Sequence, residues 1–508
     1  MVSLSLLLIA VAAFRQTFMG DGVRHIQLTL SSDLPGFGAP RWLLFPGLAW
    51  ATVRPLVWAG LPADYESAMR VLLVTTVLSG IGYLWAIRVW LRADGHDART
   101  RTAALVLAGG TISFLGLYTD IAEVQVAGAL SIGALAATRA RTAAGETGGA
   151  GVVGLVAVIA AATLVYQGLI VAMAFVPAVV PLQQLRRRKV VLGSVAILAA
   201  VPLLMFLGRL ASGDRPGLAL ATIVAGEPNP IVRSSMAVAT PAKWAAALLA
   251  GPPQATIGLA GFRGLPALAR DLRSGGTRGP ALIDVARLMG GLMLVWAIVF
   301  LIVRTRDWRL ALAMLAIVAL PVVRNGQYTY LKFYVLWPAL VALASAKVPA
   351  RVVLPVGTAV LLINGAVLMG DVNAGRRSHS QATTVYRSAP PGTCFFTTDW
   401  SPPVPYLWPG ITSPVFSDLW LTDAGDPSRV MRSLRRCFCD APGVWTDVTE
   451  RDRPLVQSLV DRFHYTELPV ADMLYRGGDG AQVAGPPRSV FAYSPARQAA
   501  LCRMVANR

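Results

Sequence analysis

The chain has 508 residues, of which 55% are hydrophobic and only 14% charged, with a mean hydropathy of +0.56. An ordinary soluble chain carries about 25% charged residues. Too little polar surface remains to cover a soluble core, so a soluble enzyme, a disordered chain and a disulfide-dense secreted mini-domain are excluded. What is left is a polytopic α-helical membrane protein, large enough to carry a water-exposed domain as well.

The formal net charge is +19. A basic balance can mark a nucleic-acid partner, but here the positives sit in short clusters between apolar runs, such as Arg186-Arg187-Arg188-Lys189 and Arg304-Thr305-Arg306. That is the pattern of cytoplasmic loops under the positive-inside rule, and no nucleic-acid partner is expected. The bias to Arg, Ala, Gly and Val is what a GC-rich bacterial genome writes.

The first apolar run, residues 2–14, lacks the positive n-region of a signal peptide and reads as a transmembrane helix reaching about Phe18. Further spans read at 68–91, 103–119, 122–138, 151–166, 167–184, 190–210, 281–303, 308–323, 327–346 and 350–370, giving about 11. The stretch from Gly151 to Gln183 is too long for one helix, and Tyr166-Gln167-Gly168 marks the tip of a hairpin. Two apolar segments resist the count. Residues 41–61 hold Pro46, Arg54 and Pro55, and residues 243–262 hold Gly251-Pro252-Pro253. Both carry Trp and read as interfacial or re-entrant helices on the outer face.

Five basic loops, at Arg92–Arg101, Thr138–Glu146, Arg186–Lys189, Arg304–Arg309 and Lys347–Arg351, fall on one side if the N-terminus is inside. Arg15 and Arg24 then fall on the outer side. The C-terminus is outside, where Cys394, Cys437, Cys439 and Cys502 would oxidise. Cys437 and Cys439 are too close to bridge comfortably, so their partners would be Cys394 and Cys502. A metal site is the rival reading of the four, with only His464 remotely near.

The chain therefore divides into a transmembrane part, residues 1–370, and an extracytoplasmic part, residues 371–508. In the second, Cys394–Thr397, Gly443–Thr446 and Val490–Tyr493 read as strands, with helical patterns at Pro427–Cys437 and Arg453–Phe463. Alternation of this kind predicts a small α/β domain with a mostly parallel sheet.

Acids are scarce in the membrane part. Asp21 follows the first span directly, between Gly20 and Gly22, while Asp120 and Glu123 occupy the tight turn between spans three and four. Both places face the outer side in this topology. Ionisable groups at membrane depth are costly and usually line a cavity. Two carboxylate sites facing one cavity suit a divalent cation or the deprotonation of a hydroxyl. On the same face lie cations fit for phosphate: Arg324 and Lys332, with Asn325, Gln327, Tyr328 and Tyr330 crowding beside Arg324, and Arg215 and Arg233 in the loop after span seven. His25 lies close to Asp21 in the chain, and Gln167 sits at the hairpin tip.

This order of features resembles the GT-C superfamily of integral-membrane glycosyltransferases: an acid after the first span, a long outer loop with interfacial helices, a second acid in the next outer turn, a hairpin with a polar tip, and an outer C-terminal domain. The resemblance implies polyprenyl-phosphate sugars as donors. It implies Asp21 as the first-loop acid, a catalytic base or metal neighbour, and Asp120 or Glu123 as the second. Many members carry paired acids in the first loop, whereas Asp21 stands alone; where relatives often have His at the hairpin tip, this sequence has Tyr166-Gln167.

The expected function is transfer of a sugar from a polyprenyl-phosphate donor to a glycan, lipid or protein acceptor, on the outer face of a bacterial inner membrane. Asp21, Glu123 and Asp120 are the catalytic candidates. Arg324, Lys332 and Arg233 would hold the donor phosphate, and His25, Gln167 and Tyr328 would contact substrate. A transporter or flippase of a lipid-linked or anionic solute is the rival, but it should show repeated halves, and the sequence shows none. A third class, an assembly protein whose outer domain binds a partner, has no need of acids in two outer turns.

Overall fold

The computed structural model describes residues 2–15, 25–26, 29–30, 44–121, 123–211, 241–259, 268–269, 272–273, 278–323, 331–390, 392–396, 435–446, 481–484 and 490–506. Its helices, in chain order, are α1 Val2–Phe14, α2 Phe45–Trp58, α3 Tyr65–Ala93, α4 Ala98–Gly110, α5 Ile112–Leu117, α6 Val124–Ala143, α7 Gly149–Val165, α8 Val176–Val179, α9 Leu182–Leu185, α10 Arg188–Ala211, α11 Pro241–Thr256, α12 Arg278–Arg304, α13 Trp308–Val323, α14 Trp337–Ser345, α15 Ala350–Arg387 and α16 Pro495–Ala506. Every apolar run read from the sequence contains helix. Among the described residues four helices are long and apolar enough to cross a membrane, and five shorter apolar helices accompany them.

Several runs are broken in ways the hydrophobic pattern does not reveal. The run 103–119 is split into α4 and α5 at Thr111, whose backbone is extended and whose hydroxyl donates to the Ala108 carbonyl at 2.7 Å. Gly109 and Gly110 are weak helix formers, and the threonine offers the backbone an alternative partner. The second arm of the hairpin is a 3₁₀ helix, Gln167–Phe175, leading into α8. A 3₁₀ helix rises about 2.0 Å per residue against about 1.5 Å for an α-helix, so a short arm reaches further. The run 327–346 yields a 3₁₀ turn, Leu331–Tyr334, and then α14, started by Pro338 in its first turn.

The two segments read as interfacial are helical, as α2 and α11. In α2, Phe45, Ala49 and Val53 form a buried stripe while Leu48, Leu56 and Trp58 are exposed, the spacing of a helix lying on a surface. Close helix contacts use small residues. A Cβ on Gly357 of α15 would lie 2.8 Å from the Leu107 backbone nitrogen of α4, and one on Gly80 of α3 would lie 2.8 Å from Cβ of Tyr118. The second contact seats Tyr118 at the head of the turn that carries the acids.

Helix α15 runs unbroken through Gly370 to Arg387, about 57 Å at 1.5 Å per residue, nearly twice a hydrocarbon core of about 30 Å. Beyond it lie four short strands, β1 Cys394–Phe396, β2 Val444–Thr446, β3 Ala481–Ala484 and β4 Val490–Ala492, in the order β1-β2-β4-β3. Three of them fall where the sequence placed strands. The sheet is not mostly parallel: only β1 and β2 run parallel, while β4 is antiparallel to both β2 and β3. The connection from β3 to β4 is too short for a parallel crossover, which takes a dozen or more residues. Of the predicted helices, Arg453–Phe463 lies outside the described residues, as does most of Pro427–Cys437; the end of the latter enters a single π turn, Arg436–Asp440.

Two disulfides, Cys394–Cys437 and Cys439–Cys502, have Cα separations of 5.4 and 4.9 Å. Each joins one member of the close pair to a distant cysteine, so β1, the π turn and α16 are stapled in series. Phe438 stacks on Tyr493 beside them. Burial pushes the Tyr493 phenol up to about 12, against the opposing pull of Arg497 and of a Thr446 hydrogen bond.

Candidate functional site: an acid-bearing turn with two buried ion pairs

The turn from Tyr118 to Glu123, between α5 and α6, is built by its own polar groups. Gln125 Nε2 donates to the carbonyls of Leu117 (2.8 Å) and Asp120 (3.1 Å), and Asp120 Oδ1 accepts the Ile121 N–H at 2.7 Å. The turn therefore holds its shape without spending the outer oxygens of its two acids, which engage residues from opposite ends of the chain.

Asp120 Oδ2 accepts Arg15 Nη2 at 3.0 Å, and the other Arg15 nitrogen donates to Thr119 Oγ1 at 3.1 Å. Arg15 follows α1 directly, so this pair fastens the end of the first helix to the turn. Glu123 accepts Lys332 Nζ on both carboxylate oxygens at 3.0 Å, and its Oε2 lies 3.1 Å from His25 Nε2. An ionised carboxylate can only accept, so that nitrogen of His25 carries a proton. Phe45 of α2 meets the imidazole edge-on, with ring centroids 4.4 Å apart. Asp120 and His25 are fully buried, Glu123 and Lys332 are 2% exposed, and Arg15 is 6% exposed. The 3₁₀ turn carrying Lys332 is steadied by Tyr83 of α3, whose hydroxyl donates to the Val335 carbonyl at 2.8 Å.

Among the described residues, four charges are thus removed from water in two ion pairs. Charges so buried persist only with good geometry and further hydrogen bonds, and both pairs have them through Thr119 and His25. Each acid is opposed by a cation. Among the described residues no three His, Cys, Asp or Glu side chains converge as a metal set. The turn thus joins two acids, two cations and a histidine from four separate parts of the chain.

Of the residues singled out from sequence, the structure brings together Asp120, Glu123, His25 and Lys332. Lys332 meets a carboxylate here. Gln167 is half-buried at the start of the 3₁₀ helix, and the described contacts do not join it to the acids. Asp21, Arg233, Arg324 and Tyr328 lie outside the described residues. Arg15, read from sequence only as a charge bearing on orientation, belongs to the cluster. The signal for it was charge balance: a turn with two acids and no base, in an apolar chain, requires cations from elsewhere.

No protein-family model and no curated protein matches the sequence. Among solved structures, the fold is similar to that of the crystal structure of ArnT from Cupriavidus metallidurans bound to undecaprenyl phosphate, with a TM-score of 0.54 and 13% identity over 98% of each chain. The same protein in its apo state gives a TM-score of 0.44 and 16% identity, over 97% of this chain and 96% of that one. The likeness to the undecaprenyl-phosphate-bound ArnT holds at the level of the fold, from one end of the chain to the other. Its apolar helices are those of a multi-pass membrane protein.

Proposed function

We propose that the protein is a glycosyltransferase of the bacterial inner membrane that moves a sugar from a polyprenyl-phosphate carrier to an acceptor hydroxyl on the outer face. The observation that carries this reading is the buried cluster of Glu123, Lys332 and His25, set in a fold shared end to end with ArnT, which was crystallised with undecaprenyl phosphate. In this reading Asp21 takes the acceptor proton while the freed oxygen attacks the anomeric carbon. The bond to the lipid phosphate breaks with inversion, and the phosphate leaves toward Arg324, Arg233 and Lys332. Glu123 and Asp120, already committed to cations, hold Lys332, His25 and the end of α1 in place. Proton abstraction falls to Asp21, the first acid after α1, in this reading. Gln167, His25 and Tyr328 are the candidates for contact with the sugars. A divalent cation beside Asp21 is not required by this scheme.

The proposed topology has the N-terminus inside, eleven spans and residues beyond α15 outside as a small α/β unit. The two disulfides and the five basic loops support it. Within it, α11 is re-entrant. Asn364 Nδ2 donates to the carbonyls of Gly110 and Thr256, both at 2.7 Å, and its Oδ1 accepts the Gly258 N–H at 2.9 Å. Asn364 stands about 21 Å along α15 from Ala350, and Gly110 about 18 Å along α4 from Ala98. Both helices start at the inner face, so the end of α11 reaches well into a core of about 30 Å.

The test is sugar transfer from undecaprenyl-phosphate sugars by membranes holding matched amounts of each variant. Asp21→Asn should lower turnover by about 10²-fold or more, the scale of losing a general base, while binding of undecaprenyl phosphate survives. Arg324→Ala should weaken that binding first. Full activity of Asp21→Asn would remove it from the mechanism. Movement of a lipid-linked sugar across vesicles without transfer would favour the transporter reading.

A further inference from the structure

Gln254 lies in the last turn of α11, which packs against α12, α13, α5 and the 3₁₀ turn bearing Lys332. It is 1% exposed, yet neither its Nε2 nor its Oε1 has a hydrogen-bond partner among the described residues. The polar groups around it are paired. Thr256, two residues on, donates to the Pro252 carbonyl at 2.7 Å and accepts the Trp337 indole N–H at 2.9 Å, while Asn364 takes the Thr256 carbonyl. Leaving a buried donor or acceptor unmet costs about 1–3 kcal/mol, and at membrane depth no bulk water reduces that cost. A leucine would fill similar space without it. An amide kept there with both ends unmet points to a ligand.

The chemistry of the amide narrows the ligand. Phosphate and carboxylate only accept, and would leave Oε1 unmet; an ammonium only donates, and would leave Nε2 unmet. A hydroxyl pair on a sugar ring both donates and accepts. We infer that Gln254 is a sugar-binding residue whose amide engages ring hydroxyls beside the turn that carries Lys332. This rests on the glycosyltransferase reading for the ring's identity as a substrate. The ring belongs either to the lipid-linked donor or to the acceptor.

The test uses the full chain in detergent, as wild type, Gln254→Leu and Gln254→Glu. Thermal shifts are titrated with undecaprenyl phosphate, with undecaprenyl-phosphate hexoses and pentoses, and with methyl glycosides of the same sugars. Gln254→Leu should keep or raise the apparent Tm, bind undecaprenyl phosphate as wild type does, and lose about tenfold or more in affinity for sugar-bearing probes, the scale of one or two hydrogen bonds. Gln254→Glu, which in neither protonation state offers the two donors of the amide, should show a similar loss. Loss confined to lipid-linked sugars assigns the donor; loss confined to glycosides assigns the acceptor. Unchanged sugar affinity in Gln254→Leu, a wild type blind to every sugar probe, or a Gln254→Leu protein that fails to fold would each overturn the inference. Sugar binding without transfer by wild type would instead overturn the activity and leave Gln254 standing.

Discussion

Two polar knots lie in the apolar body of this protein, and they are made of different materials. The knot at the turn 118–123 is ionic: Arg15 with Asp120, and Lys332 and His25 with Glu123. The knot at Asn364 carries no charge and joins Gly110, Thr256, Gly258 and Trp337. Both tie segments distant in sequence. The neutral one also solves a backbone problem, because α4 and α11 end where water is scarce and their terminal carbonyls need donors. An asparagine does this at little cost, with one acceptor and two donors all used. Charges do it at a desolvation cost of several kcal/mol per ion. The two knots therefore tie the chain at different cost, and under the proposed function the ionic one is the chemical site and the neutral one a structural tie.

The largest effect should follow from leaving one charge of the ionic knot unopposed. Lys332→Met removes the ammonium and leaves Glu123 buried with His25, a loss of about 3–5 kcal/mol for breaking such a pair. The double variant Lys332→Met with Glu123→Met should recover most of that stability, since apolar replacement of a whole buried pair is often neutral, but should recover no sugar transfer. Apparent Tm and transfer, measured on the same preparations, check both halves. Recovered transfer in the double variant would make the ionic knot mechanical, and the contrast between the knots would fail.

The neutral knot should show a smaller loss of a different kind. Asn364→Leu keeps the size but orphans the Gly110 and Thr256 carbonyls and the Gly258 N–H. With about 1–3 kcal/mol per unmet group, partly relieved by relaxation, a net loss of about 3 kcal/mol is expected. Transfer per folded molecule should stay within a few-fold of wild type at low temperature. A variant of normal Tm with no transfer would place Asn364 in the chemistry and erase the distinction.

The ionic knot shows what a single sequence reveals and what it hides. Asp120 and Glu123 stand out because acids are rare in apolar chain, and His25 because it follows the first span. Their pairing does not: Lys332 is 209 residues from Glu123 and Arg15 is 105 from Asp120, and nothing local encodes either contact. Lys332 reads in sequence as a phosphate ligand because its neighbourhood is polar, while its carboxylate partner is invisible. The apolar helices are legible because hydrophobic runs need no partner to be recognised. Their breaks at Thr111 and along Gln167–Phe175 are less so, since a run that is apolar on every side carries no periodicity to tell a 3₁₀ helix from an α-helix. In the C-terminal region, strand positions follow from short apolar runs, but pairing direction does not: the short connection between β3 and β4 requires an antiparallel pair, whereas the long stretches between β1 and β2 and between β2 and β4 allow either direction.

A third pair, partly open to water rather than fully buried, supplies the baseline for both knots. Asp307 Oδ2, in the loop joining α12 to α13, meets Lys347 Nζ, in the loop joining α14 to α15, at 2.5 Å, with both side chains a quarter exposed, and Asp307 Oδ1 accepts the N–H groups of Arg309 and Leu310 at the start of α13. Partial burial raises the Asp307 carboxyl, but the Lys347 hydrogen bond, its charge and the two backbone donors outweigh it and hold the group below its ordinary 3.8. A depressed carboxyl means that the unfolded chain binds more protons as pH falls through this range. The stabilisation is therefore complete above about pH 4 and is lost as pH drops through the lowered folded value. Because the pair is in contact with water, its worth is about 0.2–1 kcal/mol and shrinks with salt. Lys347→Met should lower the apparent Tm slightly at pH 7, by less than a third of the loss in Lys332→Met, and the difference from wild type should narrow below pH 4. A deficit as large as that of Lys332→Met would mean that burial does not set the scale of these pairs, and the reading of the ionic knot by its desolvation would have to be given up.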